Sequence, residues 1–81
     1  MNYLEVDKVK KDSQFKKFWE ELQIIAESQC SDDEIAAYFR LDLNEMKDKE
    51  IDGLKLMDEI EYHKQKGLIK YRIARHNSAT L

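Results

Sequence analysis

The sequence predicts an all-α fold: a helix-turn-helix bundle of four helices, with the last open to replacement by a short wing strand. Three observations carry this reading. The chain holds only two glycines and no proline, so long helices with short joints are the natural outcome. Apolar residues recur at three- and four-residue spacing from Phe15 to Ala26. Finally, two helix-start signatures stand eleven residues apart, at Ser31 and Asp42.

Residues 1–11 leave two readings open. Leu4 and Val6 alternate with Glu5 and Asp7, which suits a short strand or an ordered arm. The first secure helix begins near Asp12 or Ser13, either of which can accept hydrogen bonds from the exposed amides of a helix start. Phe15, Phe18, Trp19, Leu22, Ile25 and Ala26 then form one apolar stripe to about Ser28, with charged residues on the remaining surface. That stripe is core, though part of it could serve as a dimer face, so a homo-oligomer stays open.

Ser31 and Glu34 spell a capping box, and Asp42 and Glu45 spell a second. Starts this close force a short helix, a tight turn and a third helix, which together make a helix-turn-helix over about residues 31–51. Ala36 falls where the two helices cross and only a small side chain fits. Ile35, Phe39, Leu41 and Met46 fall where apolar residues lock the pair. Arg40 stands where such a turn favours glycine for its positive φ, a departure that costs roughly 1 kcal/mol. Lys49 occupies a position suited to an apolar residue, and Ile51 could take that place. Asp52-Gly53 then breaks the helix.

Leu54, Met57 and Ile60 mark a fourth helix from about residue 54. Leu68, Tyr71 and Arg75 could extend it to about residue 76, with Gly67 as an interior weakness. Alternatively, Ile69, Tyr71 and Ile73 alternate with Lys70, Arg72 and Ala74, and residues 68–75 would form the wing of a winged-helix repressor.

The chain of 81 residues reads as a single domain, 1–81. Its 42% hydrophobic and 38% charged content suits a globular protein rather than a disordered one. One cysteine, Cys30, allows no internal disulfide and no cysteine-based metal site. The N-terminus lacks the apolar segment of a signal peptide, and no apolar run reaches membrane-spanning length. A reducing, cytoplasmic compartment and no membrane partner are therefore expected.

Enzymatic chemistry is not expected either. Asp32, Asp33 and Glu34 sit at a helix start, where acids favour the helix dipole. His63, His76 and Cys30 are too few and scattered for zinc, and two isolated glycines make no phosphate loop. No cofactor is implied.

Charge is distributed unevenly. Residues 1–30 carry five lysines and six acids; residues 31–61 carry four basic residues and eleven acids. Residues 62–81 carry five basic residues and no acid. Lys64, Lys66, Lys70, Arg72 and Arg75, interleaved with Tyr62, Tyr71 and His76, form the best anion-binding stretch. Its alternative role is to balance the acidic middle of the same domain. Lys8, Lys10, Lys11, Lys16 and Lys17 make a weaker patch, interrupted by Asp7 and Asp12.

If the motif binds double-stranded DNA, its second helix should present Asp42, Leu43, Asn44, Lys47 and Asp48 to the bases. Asn44 could pair with adenine, and Lys47 could reach guanine or a phosphate. The competing reading makes these the solvated positions of a short structural helix, since Asp42, Glu45, Asp48, Glu50 and Asp52 oppose DNA's charge.

The run C-S-D-D-E-I-A-A-Y-F-R-L-D-L-N-E-M, from Cys30 to Met46, resembles the N-terminal segment of phage terminase small subunits. Ala74, Asn77 and Thr80 are similar to the A-x-x-N-x-x-T pattern in that family's basic helix. The resemblance covers residues 30–81. It implies a helical domain in the cytoplasm of a bacterial host that recognises viral DNA and hands it to a large packaging subunit. A different functional class also fits: a small acidic interaction module, such as a phage-encoded inhibitor, whose residues 31–61 engage a basic host protein.

Overall fold

The order of elements departs from the expected four-helix bundle in two places, before the expected first helix and after the helix-turn-helix. The computed structural model describes residues 2–80, the side chains of Tyr3 and residues 78–80 excepted. Among these are helices α1 (Tyr3–Asp12), α2 (Lys16–Glu27), α3 (Asp32–Tyr38) and α4 (Leu43–Asp48). A minimal hairpin, β1 (Glu50–Ile51) and β2 (Leu54–Lys55), then leads into the long helix α5 (Leu56–Thr80). The domain is mostly α-helical, as its composition implies.

The segment left open as strand or arm is a helix. Asn2 and Glu5 form a capping box: the Glu5 amide donates to Asn2 Oδ1 at 3.0 Å, and the Asn2 amide donates to Glu5 Oε2 at 3.3 Å. Val6 and Val9 of α1 pack against the core from its edge. The next helix starts later than expected, at Lys16, because Ser13 and the two residues after it form a turn. Ser13 still has a capping role, since its hydroxyl accepts from the Phe15 amide at 2.8 Å. Phe15 consequently leaves the apolar stripe; it is 42% exposed.

Helices α2 and α3 end the same way. The amides of Gln29 and Cys30 donate to the carbonyls of Ala26 and Ile25, and those of Arg40 and Leu41 donate to Ala37 and Ala36. Each is a Schellman termination, which requires a left-handed residue after the cap. Gln29 (φ 66°) and Arg40 (φ 56°) fill those positions. Arg40 therefore adopts the backbone conformation expected of glycine.

The capping box at Ser31–Glu34 forms with both bonds in place. The second does not close as a box. Asp42 instead accepts from the Asn44 amide at 2.8 Å, the alternative geometry open to a capping carboxylate. Helix α4 stops at Asp48 because residues 50–55 pair as an antiparallel hairpin, Glu50 with Lys55 and Ile51 with Leu54. Asp52 (φ 57°) and Gly53 (φ 76°) make the two-residue turn, whose paired positive φ values suit Asp-Gly. Ile51 thus packs from the hairpin rather than completing a helix.

One core joins these elements: Trp19, Leu22 and Ala26 of α2, Ile35 and Ala36 of α3, Met46, Leu54, Leu56 and Ile60. Ala36 lies buried in this core, as its expected place at the helix crossing requires. Phe18 extends the core sideways, its ring centroid 4.5 Å from that of Phe39 and 5.3 Å from that of Trp19. On α5 the inward face is Leu56, Ile60, His63 and Gly67, spaced by three or four residues. A side-chain carbon at Gly67 would lie 2.3 Å from the Glu27 carbonyl oxygen. The missing side chain lets α5 cross the end of α2 in backbone contact. Beyond that crossing, residues 68–77 are exposed and helical, so residues 68–75 form no wing.

Candidate nucleic-acid interface

Helix α4 presents Asn44 and Lys47 to solvent. Their orientation follows from Leu43 and Met46, whose apolar side chains turn the opposite face inward. Of the other residues assigned to the reading face, Leu43 packs against the core and Asp42 caps the helix. Asp48 is exposed beside Glu45 and Glu50. The outward surface of α4 is therefore small and mixed in charge. It is anchored at its far end by the Leu56 amide, which donates to the Lys49 carbonyl at 3.0 Å.

The five basic residues of α5 divide into two groups. Lys64 pairs with Asp32 at 2.8 Å and Lys70 pairs with Glu27. These two fasten α5 to the start of α3 and the end of α2. Burial opposes the Glu27 charge, yet hydrogen bonds from Lys70 and Gln23, with the charges of Lys70 and His63, hold its carboxyl below the usual value. Lys66 lies with its ammonium 5.8 Å from the centroid of the Tyr62 ring. Arg72 and Arg75 are exposed and have no ion-pair partner among the described residues.

Leu56, beside α4, and Arg75 stand roughly 28 Å apart along α5 at the rise of an α-helix. Asn44 and Lys47 thus belong to one end of the domain, and Arg72 and Arg75 to the other. The two sets do not converge on one small site.

A third cationic surface has no contiguous signature in the chain. Lys10 and Lys11 of α1, Lys16 of α2 and Lys66 of α5 line one cleft of about 340 Å³, with Trp19, Tyr62 and His63 in its walls. Lys10 sits deepest. Its ammonium pairs with Glu59, lies 5.2 Å from the Trp19 ring centroid and 3.2 Å from His63 Nε2. Burial, reinforced by the Lys10 charge, pushes the His63 imidazole below its ordinary value. Glu59 and Glu27 pull it the other way without prevailing. The N-terminal lysines were visible as a patch in the sequence, but their meeting with Lys66 depends on α1 lying near α5.

Among the described residues, no group of three or more His, Cys, Asp or Glu is placed to hold a metal ion. No helix there is long and apolar enough to cross a membrane. No protein-family model, curated protein or solved structure matches the chain.

Proposed function

We propose that this chain is a non-enzymatic helix-turn-helix module that binds double-stranded DNA. The observation that carries the reading is the acid-free end of α5, which stands clear of the core with Arg72 and Arg75 exposed and unpaired among the described residues. Phosphate neutralisation by such residues supplies most non-specific affinity. Lys66 adds to this surface, while Lys64 and Lys70 act chiefly as fasteners of the helix. Asn44 and Lys47 supply whatever base contact α4 makes. The resemblance to phage terminase small subunits supports a role in viral genome packaging, with a large packaging subunit as the next partner in a bacterial cytoplasm.

The test is a gel-shift titration on random duplex over a salt series. Three neutralised phosphates predict that affinity falls roughly 40-fold between ~50 and ~200 mM salt. Arg72→Glu with Arg75→Glu should abolish binding, whereas Lys47→Ala should alter only sequence preference. Absence of binding at low salt overturns the reading.

A second reading draws on Asp33, Glu45, Asp48 and Glu50, which are exposed along α3, α4 and β1 without ion-pair partners among the described residues. These acids suit an interaction module that engages a basic protein. Failure to bind DNA at low salt would favour it.

A further inference from the structure

We propose that the cleft between α1, α2 and α5 is a phosphate-binding site. Lysines reach it from three helices that the fold brings together: Lys10 and Lys11, then Lys16, then Lys66. Asp7 and Glu20 also line it, and Glu59 neutralises Lys10. Lys11 and Lys16 remain exposed without ion-pair partners among the described residues. The balance leaves an excess of positive charge at the mouth, which attracts an anion.

His63 forms part of the wall of the cleft. The residue is 5% exposed. An ammonium can only donate, so the contact of Lys10 with Nε2 makes that nitrogen the acceptor and leaves the ring proton on Nδ1. Nδ1 is sealed from solvent and has no hydrogen-bond partner among the described residues, so the open donors of the cleft are the lysines at its mouth, which a ligand rich in acceptors would meet. A phosphate group has that character. The cleft volume of about 340 Å³ lies near the lower end of the range of small-ligand pockets, roughly 300–1,000 Å³. Inorganic phosphate, a mononucleotide phosphate or a DNA backbone phosphate could each supply the group.

The test is an amide-resolved NMR titration of the full chain with inorganic phosphate, AMP and a short duplex, against sodium chloride of matched ionic strength. Saturable shifts at Lys11, Lys16 and Tyr62, absent in the chloride control, are expected. Lys11→Glu with Lys16→Glu should weaken binding at least tenfold, and Lys11→Gln with Lys16→Gln should weaken it in the same direction should the reversal disturb folding. Lys55→Glu, an exposed lysine on β2, should leave it unchanged. Tighter binding of AMP than of phosphate identifies a nucleotide source, equal binding a free phosphate, and shifts with duplex alone a backbone phosphate. Arg72→Glu with Arg75→Glu leaves the cleft intact, so loss of DNA binding in that variant is separable from loss of this site. No saturable shift with any of the three, or shifts unaltered in both lysine double variants, overturns the proposal.

Discussion

The indole N–H of Trp19 donates to Asp52 Oδ2 at 2.8 Å, joining the first turn of α2 to the turn of the hairpin. The same oxygen accepts from the Ser13 hydroxyl at 2.6 Å, so one carboxylate fixes the hairpin to the joint between α1 and α2. Asp52 also occupies a left-handed position (φ 57°), which Asp and Asn tolerate better than most residues. Asp52→Ala removes the acceptor from a Trp19 that is 3% exposed and places alanine at positive φ. The expected loss is about 2–4 kcal/mol. Asp52→Asn retains a carbonyl acceptor and suits the turn, so about 1 kcal/mol is expected. Urea unfolding followed by fluorescence of the single tryptophan checks both values.

Gly67 should resist substitution although it lies inside a helix. Alanine there would gain about 1 kcal/mol of helix propensity. Its side-chain carbon, however, would meet backbone atoms of Glu27 at 2.3–2.8 Å, and backbone cannot swing aside as a flexible side chain can. The helices must part, loosening the contact that Lys70 and Glu27 reinforce. Gly67→Ala is expected to be net destabilising by about 1–3 kcal/mol. A higher urea midpoint than that of the unmodified chain would contradict the close crossing.

The periodicity of residues 18–26 and the box at Ser31–Glu34 made α2 and α3 legible, because each is a local pattern with a single structural reading. Helix α1 was harder. Leu4 is 77% exposed, so it obscures the apolar face, and the Asn2–Glu5 box was the clearer local signal. The hairpin had its own signal in Asp52-Gly53, but strands of two residues cannot establish a period. Residues 68–75 satisfied both a strand and a helix pattern; continuity from Leu56 resolves them as helix. Asn44 and Lys47 are exposed on α4, a placement common to the base-reading and the solvated-position alternatives. The cleft lay beyond local reading, since Lys66 meets Lys10 only through α1 settling beside Glu59 and His63.

Arg40→Gly should stabilise the protein. Arg40 is exposed, holds φ 56° and makes no side-chain ion pair among the described residues. Relief of left-handed strain, partly offset by glycine's greater freedom when unfolded, leaves a gain of about 0.5–1 kcal/mol. Gln29→Gly provides the contrast at the equivalent position of α2. The Gln29 amide donates to the carbonyls of Lys64 and Glu27 at 2.8 and 3.1 Å, so its replacement relieves strain but removes a tie to α5. Paired urea curves should therefore show a clear gain for Arg40→Gly and little or none for Gln29→Gly.

Acid should loosen the domain through His63 before it reaches the carboxylates. Burial first, and Lys10 of α1 second, hold the folded imidazole below its ordinary value of 6.5; Lys66 acts in the same direction, while Glu59 and Glu27 oppose it. Well above pH 6.5 the ring is neutral in both states and contributes no pH dependence. As pH falls below 6.5 the unfolded chain binds the proton first, so stability declines until the folded value is passed. The slope from this one group cannot exceed about 1.4 kcal/mol per pH unit. Glu27, whose carboxyl is also held low, adds its own loss only below 4.5. Urea midpoints should therefore be nearly flat above about pH 7.5, begin to fall as pH approaches 6.5 and fall more steeply below it in the unmodified chain. His63→Gln, less stable throughout, should lose most of that fall. An undiminished slope in the variant would show that a group other than His63 drives the acid transition.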